Sequence, residues 1–345
     1  MEFLDFTNAE AVAEYEAFVE EMGGSFMQSV RWCGVKQDWL HEAVIVRDGG
    51  GRICGSMLVL VKKFPLPLKA FLYSPRGPVW DYEDAAVLQE LLLGVWQLSR
   101  KYHAYSFKLD PLIEETDSKK IFALRAAGFS FQPWQPDEKT IQSRNNYILE
   151  LQNRSEEELL RSFKGKCRYN IGLAKRKGVT CTVCGRERLG DFQRLMEETG
   201  KRDGFRVRSQ AYFEGMMDAL GEKCRLYLCE YEGQPLSGAI CVQYGGRTCY
   251  VYGASTAAHR EVMPNYLMQW EMIRWAVEAG CAVYDFQGVP CWYDPQHPNY
   301  GVYRFKTGFN GRLAIYAGEF RMVFAKHYKS AFDRAMKLVG YQKLA

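Results

Sequence analysis

Between Leu159 and Thr180 the chain carries seven lysines or arginines and no acid, whereas its first twenty-one residues carry seven acids and no basic residue. Within the basic run Arg161, Lys164, Arg168 and Lys175 stand three, four and seven residues apart. That spacing puts them on one face of a helix. A face of cations without acids can track phosphates. It can equally be a solvated face that answers the helix dipole, and the spacing leaves both readings open. The helix itself is expected to run from Ser155 to Gly178. Ser155 and Glu158 form a capping box, Glu156 to Glu158 load its positive end, and Gly178 follows Lys175-Arg176-Lys177 as a stop. Leu160, Phe163, Cys167, Ile171 and Ala174 make its apolar stripe.

Other reactive patterns are sparse. Cys181 and Cys184 have metal or redox spacing, but no second pair accompanies them. The five histidines (His41, His103, His259, His297 and His327) show no HExxH-type pairing. No G-x-S-x-G elbow, Walker loop or G-x-G-x-x-G joins a strand to a helix. Metal, nucleotide-hydrolysing and dinucleotide chemistry are therefore not expected. Nor do Trp80 to Glu83 or Arg260 to Asn265 supply the glycines of a coenzyme A pyrophosphate loop ahead of a helix.

The elements that must position any site can be read from periodicity. A helix is expected from about Asn8 to Met22, then a hairpin through His41 to Val61 turning at Asp48 to Gly51, and a strand at Ala70 to Tyr73. A helix from Asp84 to Lys101 and a strand at Tyr105 to Leu109 close the group. The order returns in the second half: a hairpin through Arg225 to Tyr244, a strand at Thr248 to Tyr252, a helix from Pro264 to Ala279 and a strand at Val283 to Gln287. The closing strands share Tyr-x-Phe, in Tyr105-Ser-Phe107 and Tyr284-Asp-Phe286. An approximate internal duplication is expected, giving an α+β fold with a mixed sheet in each half. The boundary is placed in residues 132–146, so that the domains are 1–145 and 146–316. A C-terminal helix from about Glu319 to Val339, bearing Arg321, Lys326, Lys329 and Lys337, is expected to pack back on the first.

Composition agrees with a globular chain of two domains: 345 residues, 47% hydrophobic and 25% charged, with a net charge of +4. The most apolar run, Gly55 to Val61, is far short of the roughly 20 residues that span a bilayer. The acidic amphipathic N-terminus is the opposite of a targeting peptide. A cytoplasmic monomer with eleven reduced cysteines, several of them core residues, is the expectation. A transient membrane-surface contact by the C-terminal helix is the minor alternative.

Several strings are specific when taken together: Phe26-Met27-Gln28-Ser29-x-x-Trp32-x-x-x-Lys36, Tyr73-Ser74-Pro75-Arg76-Gly77-Pro78, Phe107-Lys108-Leu109-Asp110-Pro111, Arg168-x-x-Ile171-x-x-Ala174-x-x-x-Gly178, Arg208-x-x-x-Tyr212-Phe213, Met263-Pro264-Asn265-Tyr266, Asp285-Phe286-x-Gly288 and Phe305-Lys306-x-x-Phe309. In this order the chain resembles the Fem family of non-ribosomal peptidyl transferases, from Phe26 to Phe309. The resemblance implies two GNAT-like domains and no cofactor. It also implies transfer of an amino acid from aminoacyl-tRNA, as co-substrate, to the side-chain amine of the third stem-peptide residue of a UDP-linked or lipid-linked muropeptide, building the interpeptide bridge. Only about thirty residues separate Gly178 from Arg208, so the chain is similar to family members without the helical-hairpin arm. In the absence of an arm, the basic helix is the candidate tRNA contact.

The resemblance assigns Lys306 to the developing oxyanion and Asp110 to orientation of the acceptor ammonium. The alternatives are a surface lysine and a turn residue before proline. Acceptor contacts carried over are Lys36, Arg208, Tyr212 and Tyr252, with Trp39, Tyr105 and Phe305 beside them. Lys36 and Arg208 suit a diphosphate, and the tyrosines suit sugar or peptide. Arg76 is read as either a ligand contact or a structural loop residue. A GNAT-fold acyltransferase with another donor, or a non-catalytic tRNA- or phosphate-binding module, is the alternative function.

Overall fold

The alternating strands on either side of Asp48-Gly49-Gly50-Gly51 and of Glu232-Gly233 can bury one face only by pairing, and each hairpin seeds a sheet. A computed structural model describes residues 1–64 and 69–338 and forms two units, Met1–Arg144 with the segment from Ala314 onward, and Asn145–Leu313. The first unit runs β1 (Glu2–Phe3), α1 (Ala9–Glu21), α2 (Arg31–Val35), β2 (Leu40–Arg47), β3 (Ile53–Phe64), β4 (Lys69–Ser74), β5 (Val79–Trp80), α3 (Ala85–Lys101), β6 (Ala104–Leu109), α4 (Ser118–Ala126) and β7 (Ser130–Phe131). The second runs β8 (Asn145–Glu150), α5 (Glu156–Ser162), α6 (Gly165–Lys177), β9 (Thr180–Cys184), α7 (Leu189–Asp203), α8 (Gln210–Leu220), β10 (Cys224–Tyr231), β11 (Gln234–Tyr244), β12 (Arg247–Ser255), α9 (Pro264–Glu278), β13 (Val283–Gly288) and α10 (Tyr300–Lys306). The chain passes back through β14 (Arg312–Ile315) to β15 (Phe320–Val323) and α11 (Lys326–Leu338).

The sheet orders are β1-β2-β3-β4-β6-β15-β7, with β5 on β3, and β9-β10-β11-β12-β13-β8-β14. In each, an antiparallel hairpin and third strand are followed by a helical crossover to a parallel fourth strand, β4 to β6 and β12 to β13. The expected duplication is present and extends to both flanks. Each parallel strand takes an antiparallel neighbour from outside the repeat, β15 in one unit and β8 in the other. The crossover helix α3 is capped by Asp84, which accepts from the amides of Ala86 and Val87. It buries Leu88, Leu91, Leu92, Val95 and Leu98, the residues its spacing marked. No long helical hairpin interrupts the stretch between α6 and α8.

Two expected helices differ from the structure. The basic helix is broken: Phe163 and Lys164 have extended backbone (ψ 153° and 145°), and helix resumes at Gly165. The break turns Phe163 into the core, where it meets Trp270 and Phe309, while the Lys164 amide donates to Gly308 O at 2.9 Å. At the C-terminal end, Phe320 to Val323 form a strand, because they pair with Leu109 to Ser106 on an otherwise open flank of β6. Helix begins only at Lys326, and Val339 lies outside the described residues. Tyr328 and Phe332 of α11 pack on Tyr105 of β6 at 5.0 and 5.1 Å between ring centroids. No described helix is long and apolar enough to cross a membrane.

Candidate functional site

In the second unit β12 and β13 pair only over Arg247–Cys249 with Val283–Asp285, and the next carbonyls of β13 have no strand partner on that side. Lys306, the last residue of α10, supplies the donors. Its Nζ donates to the carbonyls of Phe286 (2.6 Å), Gln287 (3.2 Å) and Gly288 (2.7 Å). Gln287 adopts φ 59°, a left-handed conformation that costs a non-glycine residue energy. Lys306 is only 5% exposed, so it is not a surface lysine. Burial lowers its pKa from 10.5 to about 7, opposed by the nearby negative charge of Asp285. Asp285 is itself held: it accepts from Asn146 Nδ2 at 3.2 and 3.1 Å, from Arg247 Nη1 at 3.3 Å and from the Gln287 amide at 2.7 Å. Phe309 is fully buried and anchors the turn after α10, while Phe305 beside Lys306 stays partly exposed, edge-on to Tyr266 at 4.9 Å.

Three expected acceptor residues of this unit lie in one row. The Arg208 guanidinium sits 5.0 Å from the Tyr212 ring, and the Tyr252 hydroxyl donates to that of Tyr212 at 3.4 Å. Ser209 caps α8 by accepting from the Tyr212 amide, which fixes the first turn that presents Tyr212. Arg208 is exposed, and both tyrosines are half-buried. Such a row offers a cation, ring faces and hydroxyls together.

In the first unit, three of the recognisable strings converge on one buried cluster. Gln28 Nε2 donates to Ser74 Oγ (3.1 Å) and Pro75 O (2.7 Å), and its Oε1 accepts from the Leu58 amide (2.9 Å). Asp110 accepts from the Tyr73 hydroxyl at 2.6 Å and from the Arg76 amide at 2.7 Å. Arg76 is buried, with φ 56°, and donates to Asp110 O and Ser143 O. It is therefore a structural loop residue. Gly77 packs so tightly that a Cβ would sit 2.5 Å from the Gln28 carboxamide. Asp110 is 1% exposed, and burial raises its pKa to about 6 against the pull of Arg76. Burial at 1% exposure, with its oxygens turned to Tyr73 and Arg76, is at odds with the expected direct meeting with the acceptor ammonium.

The remaining expected acceptor residues lie in the first unit, where Trp39 and Tyr105 both pack on Phe71. Lys36 ends α2 with Nζ 4.9 Å from the Trp32 ring, and Trp39 is half-buried, edge-on to Phe71 at 6.3 Å with Lys62 over it. Tyr105 is fully buried among Phe64, Phe71, Tyr328 and Phe332, which makes it a core residue rather than a ligand contact.

The basic residues fall into two groups. Arg168 donates back to Arg161 O at 3.0 Å and to Phe163 O, capping the carbonyl end of α5. Lys175 pairs with Glu271 at 3.5 Å. Arg161 and Lys164 are exposed, but the break between α5 and α6 takes them off the face that the spacing assumed. The Cys181 and Cys184 pair lies on the edge strand β9, all eleven cysteines are free thiols, and no described group of His, Cys, Asp and Glu is arranged to hold a metal.

Sequence reasoning gave no role to Gln28, Tyr73, Asn146, Asp285 or Tyr250. Gln28, Tyr73 and Asp285 stood inside the recognised strings, which was a signal without an assignment. Tyr250 and Asn146 carried none. Tyr250 lies over Gly253, where any Cβ would collide with its ring, and that ring is 6.0 Å from Lys306 Nζ.

A model of the FemAB family matches residues 11–234 and 229–333 of the chain. The lipid II:glycine glycyltransferase of Staphylococcus haemolyticus (strain JCSC1435) is 29% identical over 397 aligned positions, covering 94% of this chain and 93% of that protein. The crystal structure of FemX superposes with a TM-score of 0.88 at 26% identity, over 96% of this chain and 100% of that one. A tandem GNAT protein from the clavulanic acid biosynthesis pathway superposes with a TM-score of 0.54 at 12% identity, over 93% of this chain and 98% of that one, a likeness of fold alone.

Proposed function

The chain belongs to the FemAB family, and on that premise we propose that it is an aminoacyltransferase that takes its aminoacyl group from aminoacyl-tRNA. The acceptor is the side-chain amine of the third stem-peptide residue of a peptidoglycan precursor, so that transfer starts or extends the interpeptide bridge. The glycyltransferase relative, whose name carries lipid II, makes glycine the first donor to test and the lipid-linked precursor the first acceptor beside the UDP-linked one.

The observation that carries the reading is the buried Lys306 ammonium, held by three carbonyls at the open end of β13. The donor is an ester that is already activated, so the protein needs chiefly to position the reactants and manage charge. As the amine attacks, a C–N bond forms and the carbonyl oxygen gains negative charge. On collapse the C–O bond to the ribose breaks, and the proton lost by the amine ends on the ribose oxygen, which leaves as a hydroxyl. The bond to Gln287 O, at 3.2 Å the longest of the three, is the one Lys306 can exchange for the oxyanion. Lys36 and Arg208 hold phosphate oxygens of the precursor, and Tyr212, Tyr252 and Phe305 contact its sugar or peptide. Asp110 acts as a positioning residue through Tyr73 and Arg76. Arg161 and Lys164 contact tRNA phosphates. Charged tRNA and precursor meet on the cytoplasmic side.

The test is direct. Incubated with charged tRNA and UDP-linked or lipid-linked muropeptide, the protein adds one aminoacyl mass to the muropeptide. No gain with any charged tRNA, alongside gain with an acyl-CoA, overturns the proposal.

A further inference from the structure

α6 presents a second feature, distinct from the spacing of its cations. Tyr169 is 59% exposed, and the Arg176 guanidinium lies 5.6 Å from its ring centroid. Between them on the same face stands Gly172. A Cβ there would meet Arg176 Nη1 at 3.0 Å, so the missing side chain leaves the guanidinium room to lie back along the helix onto the ring. Lys166 and Lys177, also exposed, flank the pair, and no acid occurs between Glu158 and Glu187. Arg168 is bonded to backbone carbonyls and Lys175 to Glu271, whereas neither Lys166 nor Arg176 has an ion pair among the described residues.

We propose that Tyr169 and Arg176 form a stacking platform for an unpaired base at the single-stranded 3′ end of an RNA, with Lys166 and Lys177 on the adjoining phosphates. An exposed ring and a guanidinium plane both stack on bases, and they do so with little regard for sequence because every base has a π-face. The surrounding cations bind the sugar–phosphate backbone. The identity of the RNA as tRNA and the choice of its 3′ end rest on the function proposed above, while the platform for an unpaired base rests on this face of α6.

Uncharged RNA hairpins separate the two. Fluorescence anisotropy compares a hairpin carrying a short single-stranded 3′ tail with the same duplex ending blunt. Tyr169→Ala weakens binding of the tailed hairpin about tenfold, leaves the blunt one unchanged, and keeps the slope of log affinity against log salt. Tyr169→Phe binds like wild type. Arg176→Ala weakens the tailed hairpin and lowers that slope by nearly 1. Both side chains are solvent-facing, and an unchanged melting temperature verifies folding. Equal binding of the tailed hairpin by Tyr169→Ala and wild type overturns the platform. An equal loss on both hairpins, or no RNA binding by wild type, overturns it as well. A wild type that binds the tailed hairpin through Tyr169 but fails to aminoacylate muropeptide leaves the platform standing and removes the transfer reading.

Discussion

Replacing Lys306 by methionine keeps the length of the side chain and removes the ammonium. The fall in its pKa from 10.5 to about 7 corresponds to about 5 kcal/mol of penalty on the charged form, which the variant is spared. Against that, the carbonyls of Phe286, Gln287 and Gly288 lose their donor, at about 1–3 kcal/mol for each buried group left unsatisfied. The two effects oppose, so the stability of Lys306→Met stays within a few kcal/mol of wild type. Transfer does not share this cancellation. Loss of one oxyanion partner costs about 10²–10³ in kcat, with acceptor KM little changed because Lys306 meets charge that develops only during reaction. Single-turnover transfer from charged tRNA, read by mass, gives kcat, and urea unfolding gives stability. The pH profile adds an independent arm. The ammonium is the charged form below its pKa, so in the saturated wild-type complex its contribution declines above about pH 7. The residual rate of the variant has no inflection there. Turnover within tenfold of wild type, or the same inflection in Lys306→Met, would refute the role given to this residue.

Other outcomes follow from the buried clusters and the exposed cations. Gly77→Ala drives a Cβ into the Gln28 carboxamide and should lower the urea-unfolding free energy by about 1–3 kcal/mol, as overpacking does. Asp110 has a folded-state pKa raised from 3.8 to about 6, so its protonated form favours folding below about pH 4 and that contribution is lost as pH rises through 6. Asp110→Asn should flatten this part of the stability profile, worth about 3 kcal/mol, in urea titrations across that range. Arg168→Ala should lower stability by about 1 kcal/mol through loss of the cap on α5, while the salt slope of tRNA binding stays unchanged. Lys164→Ala should lower that slope by nearly 1. Lys36→Ala and Arg208→Ala should each weaken binding of UDP-linked muropeptide about tenfold or more in calorimetry, as loss of a charge-assisted contact does.

Much of the repeat was legible because hydrophobic period and turn chemistry are local. The hairpin at Glu232-Gly233 needs only two residues with positive φ, 51° and 76°, and alternating flanks. The faces of α3 and α9 follow from 3.6-residue spacing. Short strands were not legible in the same way. β7, β9 and β15 are strands because a neighbour has open hydrogen-bonding groups, and that demand arises from elsewhere in the chain. The break at Phe163 has the same origin: Ser155 to Gly178 reads as one helix by cap and stripe, but Phe163 finds Trp270 and Phe309. The motif strings marked Lys306 and Asp110 but could not say which atoms they meet.

By itself, then, the sequence determined the α+β class, the duplicated order of elements and the residue types at the candidate site, since propensity and periodicity act over a few residues. Only the tertiary structure decided that Lys306 is buried against three carbonyls, that Asp110 is buried and bonded to Tyr73 and Arg76, that Tyr105 is core, and that Arg168 and Lys175 are engaged while Tyr169 and Arg176 face solvent. Burial and partner choice depend on groups tens to hundreds of residues away, and they set whether a charge is free to act.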